Sequence, residues 1–384
     1  MNFLIKNWAK GNPGNIMMMY ISSLKLKKKL GFGSISNISI PIFNIDLPEI
    51  DIGNVAGIHD YMNTNNKQSG FIPMDGIKYI CENTDSNFVS LEGNSQNIKN
   101  FFSIDEFDYE NEFPFMKDNN CGGGDDDLVI NIRGGEILSG IHPDYCLIPP
   151  EFYEYIINIS GKKPIFYGQL DESPYLKELI ERFPDAEFIN SRGVKEDFDF
   201  IRRSKHIVPC LSTFSWMASW LSHAEKIYFP VAGVLNPFQH RSSMLLPFND
   251  KRYQFFLFPI YTSLHVDNYK KYIDPIRNSW RHISHKNLEM IIPKIKEEIS
   301  DYIIGLDIFD YVNNNKGAEI AYNSFRELGV YNHYMSHGFF HDNYKKKINI
   351  GEYINKNKNF SLELISGEYE DVYDHYVKVG QYIK

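Results

Sequence analysis

From residue 128 onward, short apolar runs alternate with amphipathic segments of helical length. The apolar runs predict β-strands and the amphipathic segments predict helices. The predicted strands are Leu128–Ile132, Pro164–Tyr167, Glu187–Asn190, His206–Pro209 and Lys226–Phe229, and the helices between them are Pro150–Ile159, Pro174–Phe183, Lys195–Ser204 and Phe214–His223. This alternation is typical of a parallel, doubly wound α/β sheet, in which ligands bind beyond the carboxyl ends of the strands.

The segments on either side follow different patterns. The amino-terminal part predicts a strand over Phe3–Trp8, a glycine-rich turn and a helix over Ile16–Leu30, and then becomes irregular, with short β-like pieces such as Lys78–Cys81. Asp118–Asp127 reads DNNCGGGDDD, which is typical of a linker. The alternative is a metal-binding DxD motif, although such a motif is expected at the carboxyl end of a strand and this one precedes a strand. The tail predicts an amphipathic helix over Leu288–Ile303 and a helical, aromatic segment over Asp310–Gly338. We therefore expect three domains, over residues 1–120, 127–285 and 286–384, with the last an appended, mainly helical extension.

The composition excludes some classes of protein but does not indicate a reaction. The 384 residues are 43% hydrophobic and 23% charged, with a net charge of −9, so a nucleic-acid partner is not expected. No apolar run has the length of a membrane span, and the start lacks the apolar region of a signal peptide. The four cysteines show no zinc spacing, and no metal site is predicted. We expect a cytoplasmic protein, with peripheral contact to the inner membrane face as an alternative suggested by the basic Lys345–Lys347.

The segment Lys205–Ser222, KHIVPCLSTFSWMASWLS, predicts an anion site where a strand leads into a helix. The first turn of a helix offers amides without intrahelical acceptors and the positive end of the helix dipole. Ser212 and Thr213 could add hydroxyl donors. The alternative is that these hydroxyls only cap the helix.

A second strand exit, LVINIRGGE (Leu128–Glu136), places Arg133 before two glycines. A guanidinium can bind two phosphate oxygens at once, and glycine lets a ligand approach the backbone. The alternative is a structural arginine paired with Glu136 or with the acidic linker. Glu136 and Asp144, in the loop that follows, are candidates for a general base, although either could equally be a binding or structural residue.

Two further groups of residues could contact the ligand. Asn190, Glu196 and Asp197 follow the third strand of this domain, where a nucleoside could be bound, although an acidic residue in the first turn of a helix also has a structural explanation. His240 and Arg241 could add charge beside the phosphates.

Three motifs together resemble the α-1,2-fucosyltransferase family. GNPGNIMMMYISSLKLKKKLG resembles the GGLGNQMFQYAFA-like motif at the amino terminus of that family, and LVINIRGGE resembles its HxRRGD-like donor segment. SRGVKEDFDFIRRSKHIVPCLSTFSWMASWL is similar to the segment EDLxLMSxCKHxIxxNSTFSWWAAWL. The order and spacing agree over roughly residues 1–265. Separately, YNHYMSHG in the tail resembles the HYLxHG repeats appended to bacterial polysaccharide glycosyltransferases.

The resemblance implies a GT-B glycosyltransferase with two Rossmann-like domains facing a cleft, the first of them on the acceptor side. It implies a nucleotide-sugar donor, with a GDP-sugar favoured, no cofactor and no divalent metal. Carried over by motif, Arg133 would bind the donor β-phosphate. The other residues implied to line the donor are Gly14, Asn15, Asn131, Ser212, Thr213 and Phe214.

Two departures from the family pattern bear on the donor. The family histidine two residues before the arginine is Asn131 here, and RRGD is replaced by RGGE. GGEILSGIHPDYCLIPPEFY also resembles a variant branch (RSGDIF…HPxYxQPPLxYY) whose donors need not be fucosyl. The expected function is transfer of a sugar to a hydroxyl of a cell-surface or capsular glycan, free or lipid-linked, most simply with inversion. The alternatives are a non-catalytic nucleotide- or carbohydrate-binding protein and a transferase of another phosphate-linked group.

Overall fold

Two α/β units, each with its own mainly parallel sheet, form the part of the protein that the computed structural model describes. The described residues are 3–8, 11–51, 56–60, 70–116, 122–134, 142, 144–170, 172–240, 243–262, 269–292, 303–306 and 308–338. Among these, residues 3–107 and 303–338 form the first unit, and residues 108–292 form the second. The expected α/β class is confirmed. The cleft between two domains stays a prediction.

The first unit contains a four-stranded parallel sheet in the order β2-β1-β6-β5, together with the β3–β4 hairpin. Helix α1 starts with Pro13 in its first turn and ends at Gly31, whose φ of 79° is left-handed. The strands are β1 (Leu4–Asn7), β2 (Ser34–Ser36), β3 (Ile38–Ile40), β4 (Ile45–Leu47), β5 (Ile58–Asp60) and β6 (Phe88–Leu91), and the helices are α1 (Pro13–Leu30) and α2 (Met74–Asn83).

The β-like interpretation of Lys78–Cys81 is wrong, because these residues lie within α2. Met74, Ile77 and Ile80 recur at helical spacing and are buried in the core of the first unit. Four residues are too few to show this helical period, which is visible only over the whole of α2.

The second unit is built on a seven-stranded sheet in the order β13-β12-β11-β10-β7-β8-β9, which is parallel except for the β12–β13 pair. Its strands are β7 (Asp127–Arg133), β8 (Lys163–Gln169), β9 (Glu187–Asn190), β10 (His206–Val208), β11 (Lys226–Val231), β12 (Tyr253–Leu257) and β13 (Arg281–Ile283). Its helices are α3 (Tyr109–Glu112), α4 (Pro150–Ser160), α5 (Pro174–Arg182), α6 (Val194–Arg203), α7 (Thr213–Trp220), α8 (Tyr269–Ile273) and α9 (His285–Ile291). The five predicted strands and four predicted helices are all present, whereas β12 and β13 were not predicted.

The described part of the tail belongs to the core of the first unit. It forms α10 (Ile308–Asn314), α11 (Lys316–His333) and a π-helical turn over Tyr334–Gly338. Ile303, Leu328 and Met335 are buried in one cluster with Phe3 and Ile5 of the amino-terminal segment. An appended module was expected here, but these apolar side chains are removed from water only by packing on the first sheet. The predicted helix over Leu288–Ile303 lies mostly outside the described residues.

In the described part of the chain, no helix combines the length and the apolar character needed to cross a bilayer.

A close contact between two strands makes Gly168 a sensitive position. Its φ is +131°, and a Cβ there would lie 2.2 Å from the carbonyl oxygen of Ile132 in β7. We expect Gly168→Ala to lower the free energy of unfolding by about 2 kcal/mol or more, because backbone strain and a backbone clash add together. Urea unfolding would measure this change.

Gly161→Ala is the matched control. Gly161 is also left-handed, with φ of 63°, but no atom lies within 4 Å of the position that a Cβ would take there. We expect a loss of only about 1 kcal/mol from this substitution. Equal losses in the two variants would contradict the role given to the β7–β8 contact.

Candidate functional site

The candidate site lies at the carboxyl edge of β7, β10 and β11, which are neighbours in the second sheet. Parallel strands end at the same edge, so the loops that follow them meet there. The loop after β7 is joined to the turn after β11, because the Val234 amide donates to the Asp144 carbonyl at 2.9 Å. Gly233 allows this approach: its φ is +50°, and a Cβ would lie 2.3 Å from the same carbonyl oxygen.

Arg133 is the last residue of β7 and is half-buried. Its guanidinium carbon lies 5.1 Å from the centre of the Tyr145 ring, in cation–π geometry. Its positive charge also reaches Cys210, just after β10. Burial raises the pKa of the Cys210 thiol, and the nearby Arg133 charge offsets part of that increase. The register of β7 and β10 pairs Ile130 with Val208, so Arg133 and the start of α7 leave the same edge of the sheet.

The start of α7 is held by a short network of buried hydroxyls. The Ser212 hydroxyl accepts from the Ser215 amide at 3.1 Å, and the Ser215 hydroxyl accepts from the Cys210 amide at 3.1 Å. The Cys210 sulfur lies 3.3 Å from the Ser212 oxygen. Ser212 is thus the N-cap of α7, which was the structural alternative for this hydroxyl.

Thr213 and Phe214 form the first turn of α7 and are half-buried. Their amides belong to the part of a helix that has no intrahelical acceptors, so they suit an anion. The Phe214 ring packs edge-on against Phe198 of α6 at 5.4 Å. This contact packs the first turn of α7 against α6.

Asp144 lies in the loop after β7 and is bound by two side chains from the segment after β11. Gln239 Nε2 donates to Asp144 Oδ1 at 2.9 Å, and His240 Nδ1 lies 2.9 Å from Asp144 Oδ2. Burial would raise the pKa of Asp144, but the hydrogen bonds from His240 and Gln239 and the charges of His240 and His142 together lower it. Such a carboxylate suits binding a cation or orienting a histidine better than accepting a proton at neutral pH.

The residues predicted to contact a nucleoside are engaged in hydrogen bonds between strands and turns. Asn131 is buried in β7 and donates to the Tyr167 carbonyl of β8 at 3.0 Å. The Tyr167 hydroxyl donates to Asp197 at 2.5 Å, and Asp197 also accepts from the Arg192 amide at 2.8 Å. The bond from Arg192 lies within the turn between β9 and α6, and the bond from Tyr167 joins that turn to β8. Asn190 is exposed at the end of β9.

The remaining predicted site residues belong to the first unit or, as with Arg241, lie outside the described residues. Gly14 and Asn15 are in the first turn of α1, in the first unit. The Asn15 side-chain oxygen accepts from Gln96 at 3.1 Å, which joins this turn to another loop of that unit. Glu136 lies outside the described residues.

Two residues of the edge had no recognised signal in the sequence. Tyr145 lies in the HPDY segment but was not assigned a role, and Gln239 joins Asp144 across 95 positions of the chain. The spacing of neighbouring residues in the sequence does not predict a contact between positions so far apart in the chain. His240, expected only to add charge near phosphates, is bound to Asp144.

No protein-family model matches the sequence, and the search of curated proteins gives no match. Among solved structures, the crystal structure of the glycosyl transferase family 9 protein from Veillonella parvula DSM 2008 aligns with 75% of this chain and 95% of its own. The TM-score is 0.35 and the sequence identity is 11%. Similarity at this level carries no argument about the ligand or the activity of this protein.

The bonds to Asp144 predict a pH-dependent contribution to stability. A carboxyl whose pKa is lowered by folding stabilises the fold above its ordinary value, here 3.8, and loses this effect as the pH falls through the lowered value. We expect Asp144→Asn to be less stable than the unaltered chain near neutral pH, with the difference shrinking as the pH falls below 3.8 and through the lowered pKa. Urea unfolding across this range would measure the difference.

Asp126→Asn serves as the comparison, because that carboxylate is 88% exposed and lies 3.5 Å from its lysine partner. Surface pairs of this kind contribute little at any pH. A stability difference for Asp144→Asn that does not change with pH would show that its carboxylate charge is not what the neighbouring donors stabilise.

Proposed function

We propose that this protein is a glycosyltransferase that moves a sugar from a nucleotide-diphosphate donor to a hydroxyl of a glycan acceptor. The observation that carries the proposal is the register of β7 and β10, which pairs Ile130 with Val208, so that Arg133 at the end of β7 and the start of α7 after β10 leave the same edge of the sheet. A fixed cation and the positive end of a helix thus border the same strand edge.

This pairing suits the chemistry of a nucleotide-diphosphate leaving group. When the bond between the sugar and the diphosphate breaks, negative charge increases on the phosphate oxygens. An arginine fork binds two such oxygens at once, and helix amides stabilise the charge without having to reorganise. In open α/β sheets, ligands of this kind bind at the carboxyl ends of the strands, where both groups lie.

The sequence motifs support the same assignment independently of the geometry. Arg133 lies in the stretch that resembles the donor segment of α-1,2-fucosyltransferases, and Ser212–Phe214 lie in the stretch with the most specific resemblance. That resemblance favours a GDP-sugar as donor and a cell-surface or capsular glycan as acceptor. Ser212 would act through the structure of the helix start, since its hydroxyl caps α7.

A non-catalytic nucleotide-binding protein is the second candidate, and Asn131 is the observation that favours it. The related family has a histidine at this position, whereas the Asn131 amide of this chain is bonded to the Tyr167 carbonyl. Nucleotide binding alone does not distinguish the two candidates, but turnover does.

We call the proposed phosphate site formed by Arg133 and the start of α7 the clamp, and nucleotide binding tests it directly. GDP, UDP and CDP would be tested side by side in the presence of a chelator, and we expect GDP to raise the melting temperature. A ligand at a hundredfold excess over Kd stabilises the folded protein by about 2.7 kcal/mol. Arg133→Ala should weaken binding about 10- to 100-fold, because a hydrogen bond to a charged group contributes about 1.5–3 kcal/mol. Isothermal titration calorimetry would measure Kd.

Arg281→Ala is the matched control, since Arg281 is an exposed arginine on β13, at the edge of the same sheet. It should bind nucleotide like the unaltered chain. If none of the three nucleotides binds, or if both arginine variants bind equally well, the clamp is refuted.

Turnover separates an enzyme from a binding protein. A glycosyltransferase without its acceptor is expected to hydrolyse its donor slowly, because water can replace the acceptor hydroxyl. We expect slow release of GDP from a GDP-sugar, and about a 10-fold or greater decrease in rate in Arg133→Ala at saturating donor. Binding without any release of nucleotide would favour the second candidate.

A further inference from the structure

Three side chains with metal-binding atoms converge at the carboxyl edge of the second sheet. His142 and Asp144 come from the loop after β7, and His240 comes from the segment after β11. One donor atom from each lies within 4.8 Å of the other two. Asp144 Oδ2 is central, at 2.9 Å from His240 Nδ1 and 3.8 Å from His142 Nδ1.

We propose that His142, Asp144 and His240 bind one divalent transition-metal ion of the Zn²⁺ type. Two imidazoles and one carboxylate form a ligand set suited to first-row transition metals, and it leaves further coordination positions open. Ligands about 2.1 Å from such an ion are separated by about 3.0–3.4 Å. The two observed separations from Asp144 bracket this range, so small side-chain rotations would complete the site.

The hydrogen bonds present are those that a metal can replace. His142 Nδ1 accepts from the Asp144 amide at 3.2 Å, so this nitrogen carries the lone pair needed for coordination. The proton between His240 Nδ1 and Asp144 Oδ2 is the one that the ion would displace. The ion would then separate an anionic oxygen from two neutral imidazoles.

Neighbouring groups hold the central carboxylate in place, as is usual around bound metals. Gln239 Nε2 donates to Asp144 Oδ1 at 2.9 Å and to the Tyr261 carbonyl at 2.8 Å. The Asp144 backbone is held by Val234. The His142 side chain is 44% exposed, so an ion can reach the cluster from solvent. Asp144 is therefore preorganised, while one ligand stays accessible.

Other histidine–carboxylate pairs among the described residues offer fewer ligands. His223 lies 2.5 Å from Glu110, and His59 lies 3.7 Å from Glu92, each as a pair. In the described part of the chain, the His142 cluster is the group that brings three donors together. This inference rests on the cluster alone and does not require the proposed function. It differs from the metal independence that the family resemblance implies.

Metal binding to the full chain tests the site. After chelation and dialysis, Co²⁺ should bind at one equivalent with the visible absorption of a nitrogen- and oxygen-ligated ion, and Zn²⁺ should displace it. Mg²⁺ should not compete, because it prefers oxygen ligands. His142→Ala and His240→Ala should each weaken Co²⁺ binding at least about 10-fold. Since the His142 side chain is 44% exposed, its variant is expected to fold normally, which thermal unfolding would check.

His223→Ala is the matched control, since it removes a histidine that has a carboxylate partner outside the cluster. It should leave the Co²⁺ affinity and spectrum unchanged. Absence of stoichiometric Co²⁺ binding, or binding that survives both cluster variants, would overturn the proposal. Nucleotide binding measured in chelator is a separate readout, so failure of the metal site and failure of the nucleotide clamp can be told apart.

Discussion

The pairing of β7 with β10 and β8 is the interaction on which the candidate site depends. Leu128, Val129 and Ile130 are completely buried, and β7 is hydrogen-bonded to a parallel neighbour on each side. A central strand of this kind cannot shift along its neighbours without breaking both ladders. Its end, and with it Arg133, is therefore held at the level where β10 leads into α7.

The hydroxyls at the start of α7 have a structural role before any role in ligand binding. Ser212 and Ser215 are buried, and each accepts from a backbone amide of the turn. Without them, buried amides would be left without acceptors. The anion site that we propose at this edge would therefore depend mainly on the helix start itself and on Arg133. The serines make that helix start rigid.

Asp144 links two loops that the chain separates widely. Its backbone carbonyl accepts from Val234 and its carboxylate accepts from Gln239 and His240. A carboxylate with two such partners is stabilised in its charged form despite its burial. The loop carrying His142 and Tyr145 is thereby tied to the end of β11, and Tyr145 in turn lies against Arg133. The predicted phosphate contact and the proposed metal ligands thus share one connected edge.

The alternating elements of the second unit follow from the amino-acid sequence alone, because each apolar run and each amphipathic helix has a local period. The same pattern shows which residues follow the strands, so Arg133, Asp144 and Ser212 could be named from their positions. The contacts that these residues make depend on the tertiary structure. The bonds from Asp144 to Gln239 and His240, and the place of Leu328 and Met335 in the first core, join positions far apart in the chain. Such contacts arise from packing of the whole fold, and the local periodicity of the sequence does not predict them.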